Sequence, residues 1–139
     1  MLDRWFSRAS WFAPVPLRLM IGAVFLIHGS QKMFGAFGGK GIAGAIATAE
    51  HMGFQPDWLW GWLLAGTEFF GGALLIMGLL TRYAALALCV PMAVAVFKAH
   101  WPEGFFGPKG FEYPLTLLLG LVSLLFSGPG GVTLQTGKK

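Results

Sequence analysis

Four apolar stretches, at 15–34, 59–80, 83–100 and 113–126, constrain this chain more than any other feature. They run for 20, 22, 18 and 14 residues. About 20 helical residues cross a hydrocarbon core of about 30 Å, so three of them suffice as they stand. The fourth reaches that length by extending backward through Glu112 into 105–111, or is met by local thinning of the bilayer. Four soluble core helices would need polar faces, and the composition does not supply them. Only 12% of the 139 residues are charged, against about 25% in ordinary soluble domains. Mean hydropathy is +0.65. The predicted fold is all-α: one domain over 1–139, an integral membrane four-helix antiparallel bundle.

Charge and cysteine content exclude several classes. Ten Lys and Arg against six Asp and Glu leave a net +4, but the cations are too dispersed for a nucleic-acid surface. Cys89 is the one cysteine, which rules out an intrachain disulfide, a C-x-x-C redox pair and a Cys-rich metal site. The chain contains no Gly-rich phosphate loop, Ser-His-Asp set or H-E-x-x-H motif. No metal site is expected.

Orientation follows from the basic residues in the flanks. Arg4, Arg8, Arg18, Arg82, Lys138 and Lys139 fall on one side, opposed only by Asp3. Lys32, Lys40, Lys98 and Lys109 fall on the other, offset by Glu50, Asp57, Glu103 and Glu112. Both termini are therefore expected in the cytoplasm. Trp58, Trp60, Trp62 and Trp101 mark the outer boundary, and Trp5 and Trp11 the inner one.

The N-terminal segment lacks a small-x-small cleavage site and is not expected to be a removable signal peptide. Leu2, Trp5, Phe6, Ala9 and Phe12 repeat at helical spacing opposite Asp3, Arg4, Ser7 and Arg8, as in a short interfacial helix. Pro14 and Pro16 suit the first turn of the span that follows. In the first outer loop, Ile42, Ala45, Ile46, Ala49 and Met52 share one face ahead of Gly53, predicting a small helix over the mouth of the bundle. The loop 101–112 is read as a second such cover.

Within the spans, residues three and four apart define faces. Arg18, Gly22, Phe25, Gly29 and Lys32 form one stripe, with His28 and Gln31 at its edge. The corresponding sets are Gly61, Ala65, Glu68 and Gly72; Ala84, Ala87, Pro91, Ala95 and Lys98; and Glu112, Thr116, Gly120, Ser123 and Ser127. Small residues mark helix contacts in lipid and ionisable ones mark interiors, so four polar seams are expected to face inward. Pro91 is expected to kink its helix. Arg18 and Arg82 are read as lipid-phosphate ligands or helix caps.

Up-and-down topology gathers His28, Gln31, Lys32, Glu68, Lys98, His100 and Glu112 in the outer half. Glu68 stands out, because a carboxylate near mid-membrane must be paired or protonated. Lys32 is its natural partner and His28 the second. A pair that only fixes helix register is the plain alternative. Haem ligation is disfavoured, since His28 and His100 are staggered in depth. Quinone suits the inventory better: its carbonyls take donors such as His28 and Lys32, and its reduction needs a protonatable group such as Glu68.

Arg18-x3-Gly22-x6-Gly29-x2-Lys32, then Glu68-x2-Gly71-Gly72, then Gly78-Leu79-Leu80-Thr81-Arg82 and the tail Gly128-Pro129-Gly130 resemble the DoxX family of small four-helix membrane proteins. The resemblance covers most of 14–134, and it departs at Thr133-Leu134-Gln135, where members often read Ser-Leu-Asp. The family is named after a subunit of an archaeal thiosulfate:quinone oxidoreductase. That resemblance implies a bacterial inner-membrane subunit working with a redox partner protein, with quinone the cofactor to test and a homo-oligomer allowed. A non-catalytic anchor and a small proton-coupled transporter are the alternatives; no inverted repeat supports the latter.

Overall fold

The computed structural model describes residues 2–134, with the side chains of Trp5 and Arg8 outside that description. Gln135, Lys138 and Lys139 also lie outside the described residues. All regular elements described are helical. α1 (Leu2–Arg8) is the short leading helix, its Leu2 and Phe6 exposed as an interfacial face requires. A 3₁₀ turn at Ser10–Phe12 leads into α2 (Pro14–Phe34), which opens on Pro14 and closes on Gly35 in the left-handed conformation. α3 (Gly41–His51) is the expected loop helix; it buries Ala45 and Ala49 and stops before Gly53. α4 (Asp57–Met77) and α5 (Thr81–Val94) follow, and α6 (Glu112–Ser127) completes the set.

Three helical segments are long and apolar enough to cross a membrane: Ser10–Phe34, Asp57–Met77 and Thr81–Glu103. α6 is a shorter apolar helix of 16 residues. It does not extend backward into 105–111. Gly104, Gly107, Pro108 and Gly110 break that stretch into bends, and the amide of Glu112 bonds back to the Phe105 carbonyl. The loop 101–112 is thus no second covering helix. It is a 3₁₀ turn at Trp101–Glu103 and a knot of rings, with Trp101 stacked on Phe111 at 4.9 Å.

α2 packs most extensively on α4, and α5 on α6. The two seams differ. Between α2 and α4 the predicted stripes are correct: Arg18, Gly22, Phe25 and Gly29 are buried, as are Gly61, Ala65, Glu68 and Gly72. On α5 the buried face is Thr81, Ala84, Ala85 and Leu88, leaving Ala87 and Lys98 exposed. On α6 it is Pro114, Leu117, Leu121 and Leu124, and Thr116, Ser123 and Ser127 turn outward. The interior there is built mainly from leucine and alanine. Of the four expected polar seams, those of α2 and α4 carry buried charge among the described residues, at Arg18 and Glu68. Pro91 lies inside α5, where it denies a hydrogen bond to the Ala87 carbonyl. From Ala95 to His100 the chain winds as a wider π-helical turn.

Candidate functional site

Gly29 and Gly72 set the geometry of the site. A Cβ on Gly29 would lie 2.3 Å from the Phe69 amide nitrogen, and one on Gly72 would lie 2.4 Å from the Leu26 nitrogen. The two helices therefore touch backbone to backbone, as small residues permit in apolar surroundings. Close approach puts the side chains flanking Gly29 directly against α4. Glu68, eleven residues into its helix, lies about 16 Å from the helix start by rise alone.

Lys32 lies one turn beyond Gly29. Because Cα–Cβ bonds tilt toward a helix N-terminus, its side chain leans back over the turn that carries His28 and Gly29. There its Nζ donates to Glu68 Oε2 at 2.5 Å. The Glu68 side chain is only 4% exposed, and that of Lys32 is 30% exposed. The pair thus runs from the interior of the α2–α4 seam toward its edge. Among the described residues no hydrogen bond reaches Glu68 Oε1. His28 is half-buried and close enough to interact electrostatically with both Lys32 and Glu68. Among the described residues it makes no hydrogen bond to Gln31 or to a backbone carbonyl. Next to the pair, Phe34 and Phe69 pack edge to face at 5.2 Å and tie the same two helices together.

The remaining predicted residues sit near helix ends around this centre. Gln31 donates to the Phe37 carbonyl at 3.3 Å. Lys98 stands 4.6 Å from the centroid of the Phe54 ring. The Nδ1 of His100 pairs with the Lys109 carbonyl at 2.7 Å. Glu112 opens α6, and its carbonyl accepts from the Thr116 hydroxyl at 2.8 Å. The structure thus brings Lys32, Glu68 and His28 together, and it engages Gln31, Lys98 and His100 elsewhere. No group of three or more His, Cys, Asp or Glu among the described residues is arranged to hold a metal ion.

Arg18 lies on its expected inward stripe, but its partners are the tail carbonyls and not lipid phosphate. It does not reach lipid: it is 2% exposed, and its Nη1 and Nη2 donate to the carbonyls of Pro129 and Val132, each at 2.5 Å. Thr133 Oγ1 bonds the Gly78 carbonyl, and the Leu134 amide bonds the Met77 carbonyl. The tail is thereby fastened to the ends of α2 and α4. An arginine opening an apolar span and a Gly-Pro-Gly tail were both visible, but nothing in their spacing joins them.

The comparisons agree with this architecture. The family model described as DoxX matches residues 13–101. An uncharacterised membrane protein of Mycobacterium tuberculosis is 36% identical over 132 residues, covering 82% of this chain and 74% of that protein. CatD of Bacillus subtilis, which carries the provisional name of an oxidoreductase, is 28% identical over 112 residues, covering 81% and 76%. An uncharacterised protein of Haemophilus influenzae is 34% identical over 128 residues, covering 86% and 85%. No solved structure matches the chain.

Proposed function

Since this chain belongs to the DoxX family of membrane proteins, we propose that it is the membrane subunit of a redox system, binding quinone or a similar lipid-soluble molecule at Lys32, His28 and Glu68. One observation carries this reading: among the described residues, a Lys–Glu pair inside the α2–α4 seam leaves Glu68 Oε1 without a hydrogen bond and His28 without a partner atom. Ionisable groups within a membrane are expensive and mark functional paths. In this role Lys32 and His28 hold the quinone carbonyls. Electrons arrive from a partner protein, and Glu68 relays the protons that convert quinone to quinol. Gln31, Lys98, His100 and Glu112 form the rim. The provisional name of the Bacillus subtilis relative agrees with a redox role. The same reading puts the protein in a bacterial inner membrane with both termini cytoplasmic, the end that also carries the exposed Arg82.

The test is a titration of the purified protein with a soluble ubiquinone analogue, followed by tryptophan emission. Saturable quenching is expected, weakened about tenfold by Glu68→Gln or Lys32→Met. No quenching, together with no co-purified quinone, overturns the proposal.

A second reading is favoured by the backbone contact at Gly29 and Gly72: the ion pair locks helix register and the protein is a non-catalytic anchor. Then the double variant Glu68→Gln/Lys32→Met retains both stability and function. A well-folded double variant that loses activity removes this reading.

A further inference from the structure

The α4–α5 turn, at the opposite end of the bundle from α3, holds a feature that neither the ion pair nor the tail fastening uses. α5 begins at Thr81 with no side-chain cap. The first N–H groups of a helix have no acceptor within it, and they carry the positive end of the helix dipole. A cavity of about 100 Å³ lies at this helix start, lined by Leu80, Thr81, Arg82, Tyr83 and Pro129. Thr81 is 1% exposed, yet its Oγ1 has no hydrogen-bond partner among the described residues. Buried hydroxyls are nearly always paired, so an unpaired one on a cavity wall points to a missing acceptor.

The rest of the lining suits an anion. Arg82 is held close by: a Cβ on Gly128 would lie 3.3 Å from both its Nε and its Nη2. Among the described residues no carboxylate lines the cavity, and the Pro129 carbonyl already accepts from Arg18. Size excludes most organic ligands, whose pockets run from about 300 Å³ upward; a single tetrahedral oxyanion is small enough. Position adds a further constraint. α4 ends at Met77 and α6 at Ser127, so the cavity lies where apolar helices give way to the headgroup layer.

We infer that this cavity is a phosphate site, in which the amides of the α5 N-terminus, the Thr81 hydroxyl and the Arg82 guanidinium hold one phosphate group. Helix starts are ready anion sites, and an arginine fork adds two-point recognition. The group comes from a phospholipid headgroup or from free phosphate.

Native mass spectrometry of the full-length protein, titrated with phosphatidylglycerol, measures the binding. Diacylglycerol serves as the phosphate-free control. Phosphatidylglycerol is expected to bind and diacylglycerol is not. Arg82→Gln weakens binding about tenfold and Thr81→Val about fivefold, while Thr81→Ser keeps it. Arg82 is exposed, so its variant folds even if Thr81→Val does not. Displacement of the lipid by millimolar inorganic phosphate identifies the free ion as a ligand, and its persistence identifies the headgroup; both uphold the site. Equal affinity of wild type, Arg82→Gln and Thr81→Val for phosphatidylglycerol, or equal binding of diacylglycerol, overturns it.

Discussion

Arg18 and Val132 are joined by a hydrogen bond of 2.5 Å across 114 positions of sequence, and a second bond runs from the same guanidinium to Pro129. Bonds from charged donors contribute about 1.5–3 kcal/mol each. Arg18→Gln is therefore expected to lower stability by at least about 2 kcal/mol, read as a lower melting temperature in detergent. It should also speed proteolytic loss of the segment after Gly128. Arg18→Lys restores only part of this, because an ammonium lacks the two-pronged fork. Wild-type melting and wild-type tail protection in Arg18→Gln would refute the role assigned to the fastening.

Lys32 and Glu68 should behave as a coupled pair, with unequal single variants. Lys32→Met strands a carboxylate that is 4% exposed, at a cost of about 3 kcal/mol. Glu68→Gln leaves an amide able to accept from Lys32 and costs about 1 kcal/mol. Combining them recovers much of the loss, with a coupling energy of at least about 1 kcal/mol in a double-mutant cycle of melting data. Additive losses count against the pair.

Two glycines of the α2–α4 seam offer a sharp contrast. Gly29→Ala forces a Cβ into the backbone of Phe69, and overpacking of this kind costs about 1–3 kcal/mol. At Gly66 the nearest atom to a new Cβ is Met33 Cε at 3.9 Å. Gly66→Ala is expected to be neutral or to stabilise by up to about 1 kcal/mol through helix propensity. Similar melting temperatures for the two variants would show that the close approach is absent.

Lys98 tests how far the proposed ligand site reaches. Its amine lies over Phe54, so Lys98→Met removes a cation–π contact worth about 0.5–1 kcal/mol. Quinone-dependent quenching in this variant should stay within about twofold of wild type, a smaller loss than that of Lys32→Met. An equal loss would move the ligand outward to the rim.

What was legible in the sequence was whatever sits on a single helix. Apolar length marked the spans and Gly53 the end of the loop helix, whereas the second span, read through to Leu80, closes at Met77 because Gly78 turns left-handed. The stripes on α2 and α4 were readable because glycine there marks contact, and Lys32 with Glu68 followed from depth and charge. On α6 the same logic misled. Thr116 satisfies itself locally through the Glu112 carbonyl and needs no interior, and Ser123 and Ser127 are likewise exposed. Leu117, Leu121 and Leu124 look identical to lipid-facing leucines, and only packing against α5 separates them. The tail fastening was invisible for another reason: its acceptors are backbone carbonyls, which no residue type announces.

The fastening also bears on how the protein is made. Arg18 leaves the ribosome well over a hundred residues ahead of the Val132 carbonyl that receives it. The first span thus enters the bilayer with its guanidinium unanswered, free to linger at the aqueous boundary. Translation order defers this contact until the carbonyls of Pro129 and Val132 emerge and draw that cation under cover.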